Sequence, residues 1–296
     1  RLMTEIQGMR IGLIGLGFMG KPMARNLARA GALMIVHNRS RTSVDELASE
    51  GMTAATSPKE VAETADIIIT MLTDTPAVET VMTGPNGVFE GLTAGKLVID
   101  MSTTKVPATR AFGEGAAEKG ADYVDAPVSG GTIGAENGTL TIMAGGSEQA
   151  FARALPVLSV LGQRITHVGP IGTGQVAKAA NQVIVGLNIG AVAEALALAR
   201  RAGADPAKVR EALSGGFADS RILEVHGQRM IDGAFEPGAK STIQRKDMDQ
   251  ALELAAQLGL EMPATSLSRD LYDRLIANGD GDLDHAALIK AIDPDA

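Results

Sequence analysis

Met9-Arg-Ile-Gly-Leu-Ile-Gly15-Leu16-Gly17-Phe18-Met19-Gly20 is a short apolar run that passes directly into a Gly-x-Gly-x-x-Gly turn. Alone the glycine pattern carries little weight, because a tight turn between a strand and a helix needs no ligand. Its surroundings change that. Residues 20–30 have helical character and stop at Gly31, and Leu33-Met-Ile-Val36 reads as a second strand. In this strand–turn–helix–strand setting the loop from Gly15 through Leu16, Phe18 and Met19 is expected to hold a dinucleotide. Gly15 makes the tight turn and Gly17 lets the backbone approach a pyrophosphate. Gly20 lets helix and strand pack closely, with the phosphates at the helix N-terminus.

The end of the second strand bears on which dinucleotide. An acidic residue there would accept hydrogen bonds from the ribose hydroxyls of NAD. No Asp or Glu occurs between Gly20 and Val44, and the chain reads His37-Asn38-Arg39-Ser40-Arg41-Thr42. Guanidinium and hydroxyl donors suit a 2′-phosphate, which a carboxylate would repel. NADP (NADPH) is the expected cofactor and NAD the alternative, with Asn38, Arg39 and Ser40 as contacts. The plainer reading is a polar loop leading into a helix capped by Thr42.

Strand and helix patterns then keep alternating. Residues 66–72, 96–100, 121–125, 139–144 and 164–168 read as strands, and residues 57–64, 77–83, 105–119 and 147–161 as helices. Alternation of this kind predicts a mostly parallel sheet covered on both faces. Ligands in such sheets sit beyond the carboxyl ends of the strands, where Leu72-Thr-Asp-Thr-Pro76 and Met101-Ser-Thr103-Thr104 fall. Asp125-Ala-Pro-Val-Ser129-Gly130-Gly131-Thr132 also follows a strand. The Ser129 hydroxyl and the N–H groups of Gly130 and Gly131 can line an anion pocket, although a Ser-Gly-Gly segment is more often simply a turn.

Beyond Gly169 the strands stop, and residues 206–213, 220–230, 242–258, 263–277 and 284–292 are helical patterns. The expected fold is an α/β Rossmann-type N-terminal domain (residues 9–170) with a mostly parallel sheet. An all-α C-terminal domain (residues 171–296) follows, and a long interdomain helix joins the two. That helix spans the stretch from Gly174 to Gly203, which has no proline and is mostly Ala, Leu, Val and Ile. It would be roughly 40 Å long. Up to Ala199 its only charges are Lys178 and Glu194, about 24 Å apart along a straight helix and unable to pair. A helix this apolar all round is expected to be buried, and a lysine buried with no carboxylate beside it on its helix is costly. Asn181, Gln182, Val185 and Asn188 continue a polar stripe from it. A lysine snorkelling from the first turn is the plainer alternative.

Composition bounds the rest. With 296 residues, 45% hydrophobic and 21% charged, the chain has ample core for two globular domains. A net charge of −8 and no basic cluster argue against a nucleic-acid partner. Lys178, Asn181, Gln182, Asn188 and Glu194 interrupt the long helix as a membrane span. The absence of cysteine excludes disulfides, thiol catalysis and cysteine–zinc sites. His37, His167, His226 and His285 lack ligand spacing, so no metal is expected. Residues 1–8 read as a tail, no signal peptide is seen, and a cytoplasmic setting is the default. Arg245-Lys246-Asp247 reads as an exposed charge cluster opening an amphipathic helix.

Taken together, the chain resembles the β-hydroxyacid dehydrogenase family, related to 3-hydroxyisobutyrate dehydrogenase, over nearly its whole length. Four motifs in order carry the resemblance: residues 15–27, Asp125-Ala-Pro-Val-Ser-Gly-Gly131, Gly172-Thr-Gly-Gln-Val-Ala-Lys178 with Asn181-Gln182, and Lys246-Asp247. Residues 181–189, Glu194-Ala-Leu and Phe235-Glu-Pro-Gly238 are similar to its tartronate semialdehyde reductase branch. The resemblance implies that Lys178 is catalytic and that Ser129, Gly130 and Gly131 hold the substrate. It also implies that Asn181 and Gln182 position the substrate, that Thr103 lies near the nicotinamide ribose, and that Lys246 reaches over the cofactor. Many members carry asparagine four residues after the lysine where this chain has Gln182, so either Asn181 or Gln182 makes the contact. The implied reaction is NADPH-dependent reduction of a small carboxylate-bearing semialdehyde, with Lys178 as general acid, in a homodimer or homotetramer. 3-Hydroxyisobutyrate dehydrogenase is the runner-up, and a non-catalytic dinucleotide-binding module is the alternative of another class.

Overall fold

The computed structural model describes residues 5–295, and the chain divides into two compact units, Arg1–Lys178 and Ala179–Ala296. The division falls inside one continuous helix, Thr173–Arg201.

The first unit is built on a nine-stranded sheet of β1 (Arg10–Ile14), β2 (Leu33–His37), β3 (Thr53–Ala54), β4 (Ile67–Thr70), β5 (Leu97–Asp100), β6 (Asp122–Asp125), β7 (Val128–Ser129), β8 (Leu140–Gly145) and β9 (Gly162–Gly169). The first six run parallel in the order β3-β2-β1-β4-β5-β6. β8 joins β6 antiparallel through Asp125 and Gly145, and it carries β7 antiparallel and β9 parallel.

The near-continuous apolar sequences of β4 and β5 follow from burial on both faces. With a side-chain period of two, Ile67 and Ile69 enter one hydrophobic layer and Ile68 the other. Each fully buried Ile or Leu contributes about 1.5–3 kcal/mol. Crossover helices start where side chains can cap them. Ser57 accepts from Glu60 N–H with Pro58 in the first turn, and Asp74 accepts from Ala77 N–H.

Several local expectations change. The helix after β2 is Arg41–Ser49 with Ser40 at its N-cap, so Thr42 lies inside the first turn and does not cap it. The segment ahead of β1 is not wholly a tail: Ile6 is buried in the core, and Gly8 N–H donates to Gly31 O at 2.9 Å. Residues 1–4 lie outside the described residues. The two-residue strands β3 and β7 and the glycine-rich helix Gly131–Asn137 are additions that sequence periodicity is too short to reveal.

The second unit is helical. From the long helix, Ile189, Val192, Ala193 and Leu196 recur at three- and four-residue steps. They pack with Leu223, Met248, Tyr272, Leu275 and residues 286–289. The expectation of burial all round is corrected here, because Val176, Ile184 and Leu198 are exposed. Length and hydropathy alone would let this helix cross a membrane; half of its most apolar window is buried inside the fold instead. The last helical pattern is a 3-10 turn, His285–Leu288, followed by Ile289–Ile292.

Candidate active site

In the first unit the turn after β1 is shaped for close backbone approach. Gly15 sits at φ +101°, and a Cβ there would stand 2.9 Å from Leu72 Cδ2 and run into the Met71 carbonyl. A Cβ on Gly17 would meet nothing within 4 Å, leaving open space in front of the loop. Asn38 ties the turn to the end of β2: its Oδ1 accepts from Leu16 N–H at 3.0 Å, and its Nδ2 donates to Ser40 O at 3.2 Å. The helix Gly20–Arg29 opens with no acidic residue in its first turn, Phe18 is exposed, and Met19 is half-buried. Arg39 and Ser40 are exposed beside this turn. A glycine cradle a side chain would fill, the end of a ten-residue helix and a guanidinium make a donor set that fits a dinucleotide phosphate.

The loops after β4 and β5 are stitched to each other. Leu72 N–H donates to Ser102 Oγ at 2.8 Å, and the Ser102 N–H donates to Asp100 Oδ1 at 3.1 Å, where the Thr70 hydroxyl also donates at 2.8 Å. Thr103, half-buried, lies between Ser102 and Thr104 of this network. Burial pushes the Asp100 carboxyl up to about 6 against the bonds from Ser102 and Thr70, and the nearby Asp125 adds to the rise. Asp125, also raised mainly by burial, reaches about 6. Asp100 Oδ2 and the Tyr123 hydroxyl are both buried beside this network. Burial first, then the fields of both aspartates, raises the Tyr123 phenol.

These shifts have a sign. A carboxyl raised above its unfolded value favours the fold below pH about 4, and that contribution is lost as pH rises through about 6. For Asp100, a rise to about 6 amounts to about 3 kcal/mol. Asp100→Asn is therefore expected to raise stability at pH 7.5 by about 1–3 kcal/mol, with the gain shrinking toward pH 5. Urea unfolding at both pH values measures this; a variant less stable than the parent at pH 7.5 contradicts it.

Ser129 ends β7, opposite Thr141 of β8, and is half-buried. Gly130 and Gly131 follow at φ +127° and +62°, both exposed, and a Cβ on Gly131 would meet nothing within 4 Å. Lys178 is 7% exposed and closes the first unit.

Asn181, Gln182 and Lys246 belong to the second unit. Gln182 Nε2 donates to Asp247 Oδ2 at 2.8 Å and to Gln244 Oε1 at 3.3 Å, while its Oε1 accepts from Asn181 Nδ2 at 2.7 Å. Both ends of the Gln182 amide are thus engaged inside the protein. Lys246 Nζ stands 3.4 Å from Asp247 Oδ1. The exposed reading of Arg245-Lys246-Asp247 needs correction. A helix turns about 100° per residue, so Asp247 is carried inward with Gln244 and Met248 and buried, whereas Arg245 pairs with Asp249 and Asp273.

Two histidines with no spacing signal also converge: the Nε2 atoms of His226 and His285 lie 2.9 Å apart, with Asp284 close by. Asp284 already accepts from Arg229 at 2.9 Å and from the N–H groups of Gly238, Ala239 and Ala286. Its carboxylate closes the fold and is not offered to a cation.

Residues 10–169 match the family described as the NAD binding domain of 6-phosphogluconate dehydrogenase. Residues 172–292 match the NAD-binding family of NADP-dependent 3-hydroxyisobutyrate dehydrogenase. The 2-hydroxy-3-oxopropionate reductase of Escherichia coli (strain K12) is 50% identical over 285 residues, covering 96% of this chain and 97% of that protein. The chain belongs to the β-hydroxyacid dehydrogenase family, related to 3-hydroxyisobutyrate dehydrogenase. It is an NAD(P)-dependent oxidoreductase acting on CH–OH, which sets aside the non-catalytic binding module. Among solved structures, the 3-hydroxyisobutyrate dehydrogenase of Mycobacterium tuberculosis, solved with L-serine, superposes with a TM-score of 0.90 at 31% identity, covering 97% of this chain and all of that one. Psf3 in complex with NADP+ and 2-OPP gives 0.86 at 25% identity, covering 95% and 99%.

Proposed function

We propose that this chain reduces tartronate semialdehyde to glycerate, with NADPH as the preferred cofactor. The observation that carries the reading is the buried Lys178, on a helix whose start is bonded to the strand ends bearing the Thr103 and Ser129 loops. The name of the 50% identical E. coli relative supports the substrate. Domain roles follow the expected division, with residues 9–170 for cofactor and 171–296 for substrate and assembly into a homodimer or homotetramer in the cytoplasm.

NADPH, held by the turn at residues 15–20, would supply the hydride that reduces the aldehyde carbon. Ser129 and the N–H groups of Gly130 and Gly131 hold the substrate carboxylate and fix its orientation. As negative charge grows on the carbonyl oxygen, the Lys178 ammonium donates the proton. Asn181 is assigned the substrate contact over Gln182, because both ends of the Gln182 amide are engaged, Nε2 with Asp247 and Gln244 and Oε1 with Asn181, whereas Asn181 commits its Nδ2 end to Gln182. Thr103 completes the cofactor contacts with residues 15–20, Asn38, Arg39, Ser40 and Leu72.

Comparing kcat/KM for tartronate, methylmalonate and succinic semialdehydes, with glyoxylate as a control, tests the substrate. Tartronate semialdehyde should lead. A lead for methylmalonate semialdehyde would favour the 3-hydroxyisobutyrate dehydrogenase reading, for which the match over residues 172–292 speaks.

The cofactor reading rests on Arg39, exposed beside the turn, and on the lack of Asp or Glu between Gly20 and Val44. NADPH should give the higher kcat/KM. Arg39→Asp should shift the NADPH/NADH ratio toward NADH by about tenfold or more, since charge-assisted attraction to the 2′-phosphate would give way to repulsion. Equal use of both cofactors by the parent would remove the basis for this assignment.

A further inference from the structure

Asp125 stands at the carboxyl end of β6, and its carboxylate reaches the start of the helix Thr173–Arg201. Oδ1 accepts from Gly172 N–H at 2.8 Å and Oδ2 from Gln175 N–H at 2.9 Å. The approach is close enough to dictate sequence: a Cβ on Gly174 would stand 2.7 Å from Asp125 Oδ2 and 2.8 Å from the Asp125 carbonyl oxygen. Gln175, the next residue, is 2% exposed and fixed at both ends of its side chain. Its Nε2 donates to Ser102 O at 2.7 Å, and its Oε1 accepts from Thr104 N–H at 3.1 Å. One turn of helix is therefore held through its backbone by β6 and through a side chain by the loop after β5. Lys178 lies three residues further on, one helical step along the same face.

We infer that Asp125 is a positioning residue for Lys178: with Gln175 it sets the depth and rotation of the helix start, and so where the ammonium stands relative to the Thr103 and Ser129 loops. This rests on the proposed role of Lys178 and deepens it. A carboxylate at a helix N-terminus opposes the partial positive charge of the free N–H groups, which makes the contact directional as well as short. Displacement of a proton donor by about 1 Å is enough to cost about a hundredfold in rate. Such displacement would leave the cofactor turn after β1 untouched, because that turn is tied to β2 through Asn38. It would also leave Ser129 in place, because β7 is paired to β8 independently.

The test sets Asp125→Asn and Gly174→Ala beside Lys178→Ala. The asparagine keeps the shape and one acceptor but turns an amide donor toward a backbone N–H. The alanine keeps the carboxylate and pushes the helix start off it. Single-turnover hydride transfer, KM for the semialdehyde and NADPH affinity by fluorescence titration are read for each. Both positioning variants should lose roughly 10- to 100-fold in hydride transfer, with KM and NADPH affinity within about threefold of the parent. If either folded variant transfers hydride within threefold of the parent while Lys178→Ala is inactive, the positioning role is wrong and the proposed acid survives. A loss matched by equal losses in KM and NADPH affinity also overturns it, as general damage to the domain. If Lys178→Ala itself keeps the parent rate, the acid assignment fails, whatever the two variants show. Should Asp125→Asn not fold, Gly174→Ala decides by the same limits.

Discussion

Lys178→Ala is expected to lower kcat for semialdehyde reduction by roughly 10²- to 10⁴-fold, about 2.7 to 5.4 kcal/mol of transition-state stabilisation. The side chain is buried, on the helix whose first turn is bonded to the sheet, and removal of its amine takes away the proposed proton donor. NADPH affinity should be kept, since the turn at residues 15–20 is built from β1 and Asn38. A second signature separates an acid from a merely structural lysine. Reduction uses the ammonium and oxidation the free amine, so the oxidative rate should rise with pH while the reductive rate falls over the same range. Single-turnover measurement keeps product release out of the comparison. Hydride transfer within about tenfold of the parent would mean that another group supplies the proton.

The parts of this arrangement that were legible in sequence are those with a local physical cause. β1 and the turn after it could be read because an apolar run meets glycines at positions where a side chain collides, as at Gly15. The alternation of β4 and β5 with helices could be read because strands buried on both faces must be apolar throughout. The rest depends on contacts between distant segments. Asp125 was visible as the first residue of a motif, yet its bond to the helix start joins positions 47 and 50 apart in sequence. Asp247 reads as surface charge until the helix rotation carries it to Gln182, 65 residues away. The same contact engages the Gln182 amide, which no spacing rule reveals. His226 and His285, 59 residues apart, meet only because the C-terminal turn folds back onto the helix Arg221–Asp232. Buried polar residues must find partners, so Asp100, Ser102 and Gln175 were predictable as bonded once buried, but their partners were not.

Gly130→Val is expected to lower kcat/KM for the semialdehyde by roughly a hundredfold or more, mainly through KM, while NADPH affinity changes little. Two causes act together. Gly130 sits at φ +127°, where a β-branched residue is strained by about 1–3 kcal/mol, so the turn must rebuild. Rebuilding moves the Ser129 hydroxyl and the two glycine N–H groups away from one another, and an anion held by all three loses its shared site. The milder Gly131→Ala separates these causes. At φ +62° alanine costs about 1 kcal/mol, and its methyl would project into space with nothing within 4 Å. If the loop holds the carboxylate, that methyl occupies ligand space, and KM should rise about tenfold with thermal stability nearly unchanged. A Gly131→Ala protein with the KM of the parent would remove the loop from the site. Loss in Gly130→Val alone would then reflect strain in a turn and not recognition of an anion.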